Sequence, residues 1–193
     1  MPREWLRDAQ PDLAAEKILD AADKAFVELG VSAPGMAEIA DAAGCSRGTL
    51  YRYFRNRHEL HLAYVKRAGR RIAERVREEL ADVDDPRERV IEYVLCAVRE
   101  VRRNPGTAAW FEPGISGMAA RMSHSSEVVE HLTAAFGADV LGPPGRGRER
   151  KLRTRWLIRV ILSLLSDPGE SEAEERALVE RFVAPTWLSG RGA

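Results

Sequence analysis

Apolar residues recur at three- and four-residue spacing along almost the whole chain, which is the pattern of helices with one buried face. The first stripe lies between Asp12, a candidate N-cap, and Gly30, a candidate C-terminal stop. We find no convincing strand pattern and no internal repeat in the sequence. The pattern therefore predicts an all-α protein.

Turn and capping residues divide the remaining pattern into further helices. Ser46 is the natural N-cap of a short helix, Pro86 suits the first turn of another after Asp85, and Ser171 with Glu174 has the spacing of a capping box. Further helices are expected at residues 36–43, from 46 onward, at 57–80, 86–104, 123–136 and 152–165, and from 171 onward, with short irregular helices at 105–122. The helix at 57–80 should be one long connecting element.

The chain of 193 residues has room for one ordinary domain, or for a small head that shares a continuous core with a larger body. We place the boundary near Asp84, where the connecting helix ends in the stretch ADVDDP. The predicted organisation is a three-helix head at residues 1–57, a connecting helix and linker at 58–84, and a body that is a bundle of helices at 85–193.

The composition excludes several classes of protein. With 45% hydrophobic and 31% charged residues, the chain is in the soluble globular range. The longest apolar run, WLIRVILSLL, is interrupted by Arg159 and is far shorter than the ~20 residues of a membrane span. The N-terminus lacks the apolar stretch of a secretory signal. We therefore expect a cytoplasmic protein with no membrane partner.

The two cysteines, Cys45 and Cys96, are far apart and neither belongs to a Cys-x-x-Cys pair. Their spacing argues against a structural zinc site and against a disulfide framework. Both are most simply small buried residues. A redox role stays open for Cys45, because neighbouring arginines would favour its thiolate.

Charge is unevenly distributed, although the formal net charge is +0. Residues 44–71 contain eight basic residues and one acidic residue, whereas residues 1–43 contain four basic and nine acidic residues. Positive charge is therefore concentrated where a polyanion would dock.

Residues 36–50 have the pattern of a helix-turn-helix. Ala40 is small enough for two helices to cross closely, and Gly44 can adopt the positive φ of the turn. Ile39 and Leu50 supply a shared apolar core.

The first residues of the third helix have the chemistry needed to contact duplex DNA. Arg47 can donate two hydrogen bonds to a guanine edge, and Gly48 lets the backbone approach closely. Thr49, like the nearby tyrosines, offers a hydroxyl to phosphates or a contact to a thymine methyl. Arg52, on the opposite side of the helix, is either a contact or merely solvated. The predicted DNA-binding set is Gly35, Ser46, Arg47, Gly48, Thr49, Tyr51, Arg52, Tyr53 and Arg57.

The stretch MAEIADAAGCSRGTLYRYFRNRHEL resembles the N-terminal DNA-binding region of the TetR family of bacterial repressors. The matching residues are Ile39, Ala40, Ala43, Gly44, Ser46, Gly48, Thr49, Leu50, Tyr51, Tyr53, Phe54 and Leu60. Cys45 replaces the usual valine, and Arg57 stands where lysine is common. Pro34 and Gly35 occupy the place where threonine or serine usually caps the second helix; Gly35 can cap but brings no hydroxyl.

The resemblance implies a homodimer with an effector pocket in its C-terminal body. We expect a repressor that binds a near-palindromic operator and is released by a small lipophilic effector, with repression or activation left open and no cofactor. Candidate pocket residues, for which ordinary core packing is the other explanation, are Tyr93, Cys96, Ala97, Trp110, Phe111, Met118 and Met122. Candidate dimer residues are Trp156, Val160, Ile161, Leu164, Leu165, Leu178 and Phe182.

Three alternatives remain at this point. An enzyme lacks support, because the chain has neither a Gly-x-Ser-x-Gly elbow nor a phosphate loop. An architectural protein would coat DNA without sequence preference. His124, Glu127 and His131 share one helical face, which either binds a divalent metal or is an exposed polar face; we predict no metal site.

Overall fold

The computed structural model describes residues 11–112 and 148–189, and all regular elements within these ranges are helices, so the all-α prediction is confirmed. In chain order the helices are α1 (Pro11–Leu29), α2 (Met36–Ala42), α3 (Arg47–Tyr53), α4 (Arg57–Glu79), α5 (Pro86–Arg103), α6 (Pro105–Ala108), α7 (Arg148–Ser166), α8 (Glu172–Leu178) and α9 (Ala184–Leu188). A 3-10 turn at Ala109–Phe111 follows α6, and a π-helical turn at Val179–Val183 joins α8 to α9. None of these helices is long and apolar enough to cross a bilayer.

The start of α1 differs from the prediction. The structure describes α1 from Pro11 onward, so Asp12 is a helical residue and is not the N-cap. The predicted stop at Gly30 is confirmed: this residue has a φ of 74°, in the left-handed region that favours glycine.

The first three helices and the beginning of α4 enclose one apolar cluster, which we call the head core. Phe26 of α1, Ile39 of α2, Leu50 of α3 and Leu60 of α4 are all fully buried in it. Burial of a side chain of this size stabilises the fold by about 1.5–3 kcal/mol. The head core holds α3 by one face and leaves its opposite face exposed.

A second apolar cluster, the body core, is built around α5. Tyr93 and Val94 of α5 are fully buried there, together with Leu157 of α7 and Val183 of the π-helical turn. Helix α5 therefore forms the centre of the body, with the other helices packed around it.

The helix predicted at residues 57–80 is confirmed as the single helix α4, which contributes to both cores. Its first half gives Leu60 and Tyr64 to the head core, and its second half gives Ala73 and Val76 to the body core. Because one continuous helix joins the two cores, a rotation of α4 against the body would also move the head.

An ion pair between the exposed Arg102 and the buried Glu175 fastens α8 to α5. The Arg102 guanidinium donates two hydrogen bonds to the Glu175 carboxylate, at 2.7 and 2.9 Å, and the backbone N–H of Gly169 donates a third at 3.0 Å. The hydrogen bonds from Arg102, and secondarily the one from Gly169 and the Arg102 charge, hold the pKa of the Glu175 carboxyl below its usual range. This pair fixes the position of the C-terminal segment on the body.

Candidate nucleic-acid interface

The predicted N-cap of α3 is confirmed. Ser46 has an extended backbone, and its Oγ accepts a hydrogen bond from the backbone N–H of Thr49 at 3.0 Å. The two hydroxyl oxygens, Ser46 Oγ and Thr49 Oγ1, lie 2.9 Å apart and share a second hydrogen bond. This cap fixes the first turn of α3 and orients Arg47 and Gly48, the residues that begin the helix.

The turn before α3 requires its glycine for conformation and not for space. Gly44 has a φ of 67°, and a Cβ built on it would meet no atom within 4 Å. Its backbone N–H donates to the Asp41 carbonyl at 3.0 Å, which closes the turn between α2 and α3. The two helices are therefore joined as the helix-turn-helix pattern predicts.

The exposed face of α3 carries most of the predicted DNA-binding side chains. Arg47, Gly48, Tyr51 and Arg52 are exposed, whereas Thr49 and Tyr53 are half-buried. The Arg52 guanidinium lies 5.3 Å from the centre of the Tyr53 ring, within cation–π range. This arrangement places cationic and hydroxyl groups together along α3.

Gly48 has no structural need to be glycine. A Cβ at this position would meet only Ser46 Oγ, at the ordinary contact distance of 3.9 Å. The fold therefore tolerates a side chain here, and the bare backbone is free for close approach by another molecule.

The start of α2 shows the predicted glycine cap. Gly35 is the N-cap, with an ordinary extended φ of −83° and no side-chain hydrogen bond to the helix. Its carbonyl accepts from the backbone N–H of Ile39 at 3.2 Å. The first N–H groups of α2 thus lack the hydroxyl cap that the family pattern usually supplies.

Arg57 lies at the first position of α4, but its side chain is directed into the protein. One terminal nitrogen donates to the Val31 carbonyl at 2.8 Å, and Nε donates to His61 Nε2 at 3.4 Å. The residue is half-buried.

The count of positive charge in residues 44–71 overstates the charge available at the surface. Arg67 is only 4% exposed and donates to Asp20 at 2.6 Å and to Glu16 at 3.1 Å. Arg71 lies 3.7 Å from the same Glu16. The acidic residues of α1, which the sequence suggested were separate from the basic segment, in fact neutralise part of it.

The environment of Cys45 favours the expected packing role over the redox role that the sequence left open. Burial, and secondarily the Asp41 carboxylate, raises the pKa of the Cys45 thiol. The arginines beside it in sequence do not lower the pKa. Cys45 is therefore a packing residue of the head.

The candidate effector residues fall into three groups. Tyr93, Cys96 and Ala97 lie in the body core, and burial together with the Glu79 carboxylate raises the pKa of the Cys96 thiol to about 12. Trp110 belongs to the head core, while Phe111 is partly buried against both cores. Met118 and Met122 lie outside the described residues.

A junction between head and body centres on Trp110, and sequence reasoning missed it. The Trp110 ring stacks 5.8 Å from Tyr64 and meets Phe26 and His61 edge-on at 5.7 and 5.1 Å. Within the described parts of the chain, its indole N–H is buried and has no hydrogen-bond partner. The Tyr64 hydroxyl donates to Asp23 of α1 at 2.5 Å. No local pattern signals this junction, because its members come from α1, α4 and the turn after α6.

The candidate dimer residues also divide. Trp156, Leu178 and Phe182 are exposed, at 47%, 40% and 60%, and Val160 is half-buried. The other three, Ile161, Leu164 and Leu165, are already buried within the chain, so they have little surface left for a partner.

The histidines considered for metal binding, His124 and His131, lie outside the described residues, as does Glu127. Within residues 11–112 and 148–189, no group of three His, Cys, Asp or Glu side chains is placed to hold a metal ion.

Comparison with known proteins agrees with this geometry. The family model described as "Bacterial regulatory proteins, tetR family" matches residues 18–64, from α1 into α4. Over 182 residues the chain is 43% identical to the uncharacterized HTH-type transcriptional regulator Rv1255c of Mycobacterium tuberculosis strain H37Rv, covering 94% of this chain and 89% of that protein.

Two solved structures share the fold. The TetR family repressor AlkX from Dietzia sp. has a TM-score of 0.70 at 22% identity, covering 91% of this chain and 95% of that one. The fatty acid degradation regulator FadR from Bacillus halodurans has a TM-score of 0.57 at 17% identity, covering 95% and 96%. All of these relatives are transcriptional regulators rather than enzymes. The capped and exposed α3, the family match across the head and the long relative at 43% identity lead to one conclusion: the chain belongs to the TetR family of bacterial transcriptional regulators.

Proposed function

We propose that the protein is a homodimeric repressor that binds a near-palindromic operator and is released by a small lipophilic molecule. The observation that carries this proposal is the surface of α3. Its first turn is capped by Ser46, exposes Arg47 and leaves the backbone open at Gly48. An arginine at a helix N-terminus can donate two hydrogen bonds to a guanine edge in the major groove.

Phosphate contacts would position the head on the duplex. Tyr51, Arg52 and Tyr53 lie along α3 after its first turn, and the hydroxyls and the guanidinium suit phosphate oxygens. In a dimer, two such helices would enter major grooves about one helical turn, ~34 Å, apart. The operator should therefore be a near-palindrome.

The exposed apolar side chains of the C-terminal helices support the homodimer. Trp156 of α7, Leu178 of α8 and Phe182 of the π-helical turn are large and apolar, and a single chain leaves them exposed. A twofold pairing would bury each of them twice, once in each protomer. Two copies would thus form a four-helix packing.

The apolar surroundings of Tyr93, Cys96 and Ala97 support a lipophilic effector. AlkX, which shares the fold, is implicated in biodegradation of n-alkanes, and FadR is a fatty acid degradation regulator. Alkanes and fatty acids are therefore the first ligands to test.

Selection from a random duplex pool tests the proposal. The full chain is expected to enrich a near-palindrome, and the enriched duplex should be released when an effector is added. Equal binding of all duplexes, with the same steep salt dependence, would instead favour the architectural alternative.

A further inference from the structure

We propose that Arg57 is a positioning residue that ties the α1–α2 loop to the start of α4, and so sets the orientation of α2 beneath the DNA-reading helix. This inference rests on the proposed DNA-binding function. It assigns Arg57 a role different from the phosphate contact expected from the sequence.

The geometry of the side chain carries the inference. The Arg57 guanidinium donates to the Val31 carbonyl at 2.8 Å, across 26 residues of sequence. Its Nε–H donates to His61 Nε2, one turn further along α4, at 3.4 Å. One end of the guanidinium is therefore fixed to α4, and the other holds the loop.

Burial of Val31 and Pro34 holds the middle of the loop, and its two ends are less constrained. It leaves α1 through Gly30, whose φ is 74°, and it ends at Gly35, an N-cap without a side-chain hydrogen bond. Val31 is fully buried in the head core, so its carbonyl is a firm point for Arg57 to hold. A change in this bond would be transmitted directly to the first residue of α2.

The position of α2 matters because α2 packs against both α1 and α3. Ile39 and Ala40 of α2 are fully buried in the head core, and Leu50 of α3 belongs to the same cluster. A tilt of α2 would therefore change the angle at which α3 presents Arg47.

Arginine is suited to this task in a way that lysine is not. A guanidinium presents donors in several fixed directions in one plane, and can reach the Val31 carbonyl and His61 at once. A lysine amine is a single compact charge on a flexible stem. His61 can accept because it is neutral: burial, with the Arg57 and His58 charges, lowers its pKa to about 4.

Arg55 provides a matched control. It lies two residues before Arg57 and is exposed, and its backbone N–H, rather than its side chain, is hydrogen-bonded to Glu59, at 3.0 Å. Arg55→Gln removes one positive charge near the start of α4 without touching the bond to Val31.

The first experiment measures binding of the full chain to the selected operator and to a random duplex over a range of salt. Arg57→Lys and Arg57→Gln should each weaken operator binding about tenfold or more while random-duplex binding and the salt slope stay as in the wild type. Arg55→Gln reports the effect of a lost charge alone. If Arg57→Lys binds normally and Arg57→Gln lowers the salt slope by about one per subunit, Arg57 is a phosphate ligand and the proposal is overturned.

A second experiment needs no DNA. Hydrogen exchange of the full chain should show faster exchange at residues 31–39 in both Arg57 variants and unchanged exchange in Arg55→Gln. If the Arg57 variants exchange faster but prefer the operator over a random duplex as strongly as the wild type does, Arg57 only stabilises the fold and the proposal is overturned. If the wild-type chain selects no operator, the proposed function fails, and unchanged exchange in the Arg57 variants would separately refute the tie to the loop.

Discussion

Arg47, the first residue of α3, is the side chain that we propose reads a base. Arg47→Ala should weaken operator binding by about 1–3 kcal/mol and relax the preference at one base position, because a bidentate contact to guanine is lost. Repeating the duplex selection with the variant measures both effects. Arg77→Ala removes an exposed arginine from the far end of α4 and should leave both unchanged. Unaltered selectivity in Arg47→Ala would remove Arg47 from the readout.

His61 gives the protein a defined pH dependence. Burial is the largest cause that lowers its pKa, from 6.5 to about 4, so between these values the unfolded chain binds a proton that the folded chain does not. The free energy of unfolding should therefore fall by about 2 kcal/mol from pH 7 to pH 5. Urea titrations at the two pH values measure this loss. His61→Gln cannot titrate and should lose much less over the same interval; an identical loss would show that another group is responsible.

The sequence predicts those site residues whose partners are close in sequence. The Ser46 cap depends on Thr49, three residues away, and the Gly44 turn on Asp41, so capping and turn rules find both. The long-range partners of Arg57 and Arg67 could not be predicted, since Val31, Glu16 and Asp20 lie 26 or more residues away from them in sequence. Counting charges along the sequence does not show which arginines will form ion pairs in the folded protein.

At the scale of helices, two serine caps of the same chemistry can be compared. Ser46 caps α3, and Ser171 caps α8 by accepting from the backbone N–H of Glu174 at 3.2 Å. Each change to alanine should lower the free energy of unfolding by about 1 kcal/mol. Only Ser46→Ala should also weaken operator binding, because in the proposed complex α3, and not α8, contacts the duplex. If Ser171→Ala weakens it equally, the effect comes from general stability and not from the start of α3.

Helix boundaries could be predicted where a capping side chain lies close in sequence to the backbone group that it bonds. They were harder to predict where the boundary depends on backbone geometry. Pro86 lies in the first turn of α5 and Ser171 caps α8, both as predicted. The Glu174 side chain, however, accepts from the N–H of Glu170 and does not complete the capping box with Ser171. The π-helical turn at Val179–Val183 has no sequence signature. This turn precedes Pro185. The proline has no N–H to donate, and its ring crowds the carbonyl of the residue four positions earlier. The wider π-helical turn relieves this steric clash.

At the scale of the whole molecule, the exposed C-terminal side chains should govern assembly. Trp156→Ser and Phe182→Ser should each weaken the dimer by about 2 kcal/mol without destabilising the monomer, because both side chains are exposed in the single chain. Sedimentation over a range of concentrations measures the shift. Val27→Ser changes an apolar residue of α1 that is 50% exposed, and should leave the dimer unchanged. Unchanged assembly of both C-terminal variants would place the interface elsewhere.

The contact between α6 and the head offers a test of how the body acts on DNA binding. A Cβ on the buried Gly106 would overlap the Asp23 carboxylate and lie 2.7 Å from the Tyr64 hydroxyl. Gly106→Ala must therefore displace either the Asp23 side chain or α6, and both changes disturb the contact beside Tyr64 and Trp110. Tyr64→Phe removes only the hydrogen bond to Asp23 and keeps the close approach.

Gly106→Ala should accordingly cost more than the ~1–3 kcal/mol expected for Tyr64→Phe, since overpacking adds to the lost hydrogen bond. Urea unfolding measures the two costs. Operator titration at a temperature where both variants are folded then separates stability from coupling. If the body controls the head through this contact, Gly106→Ala will shift operator affinity although it leaves every residue of α3 intact. Wild-type affinity in a folded Gly106→Ala protein would mean that the signal passes through α4 alone.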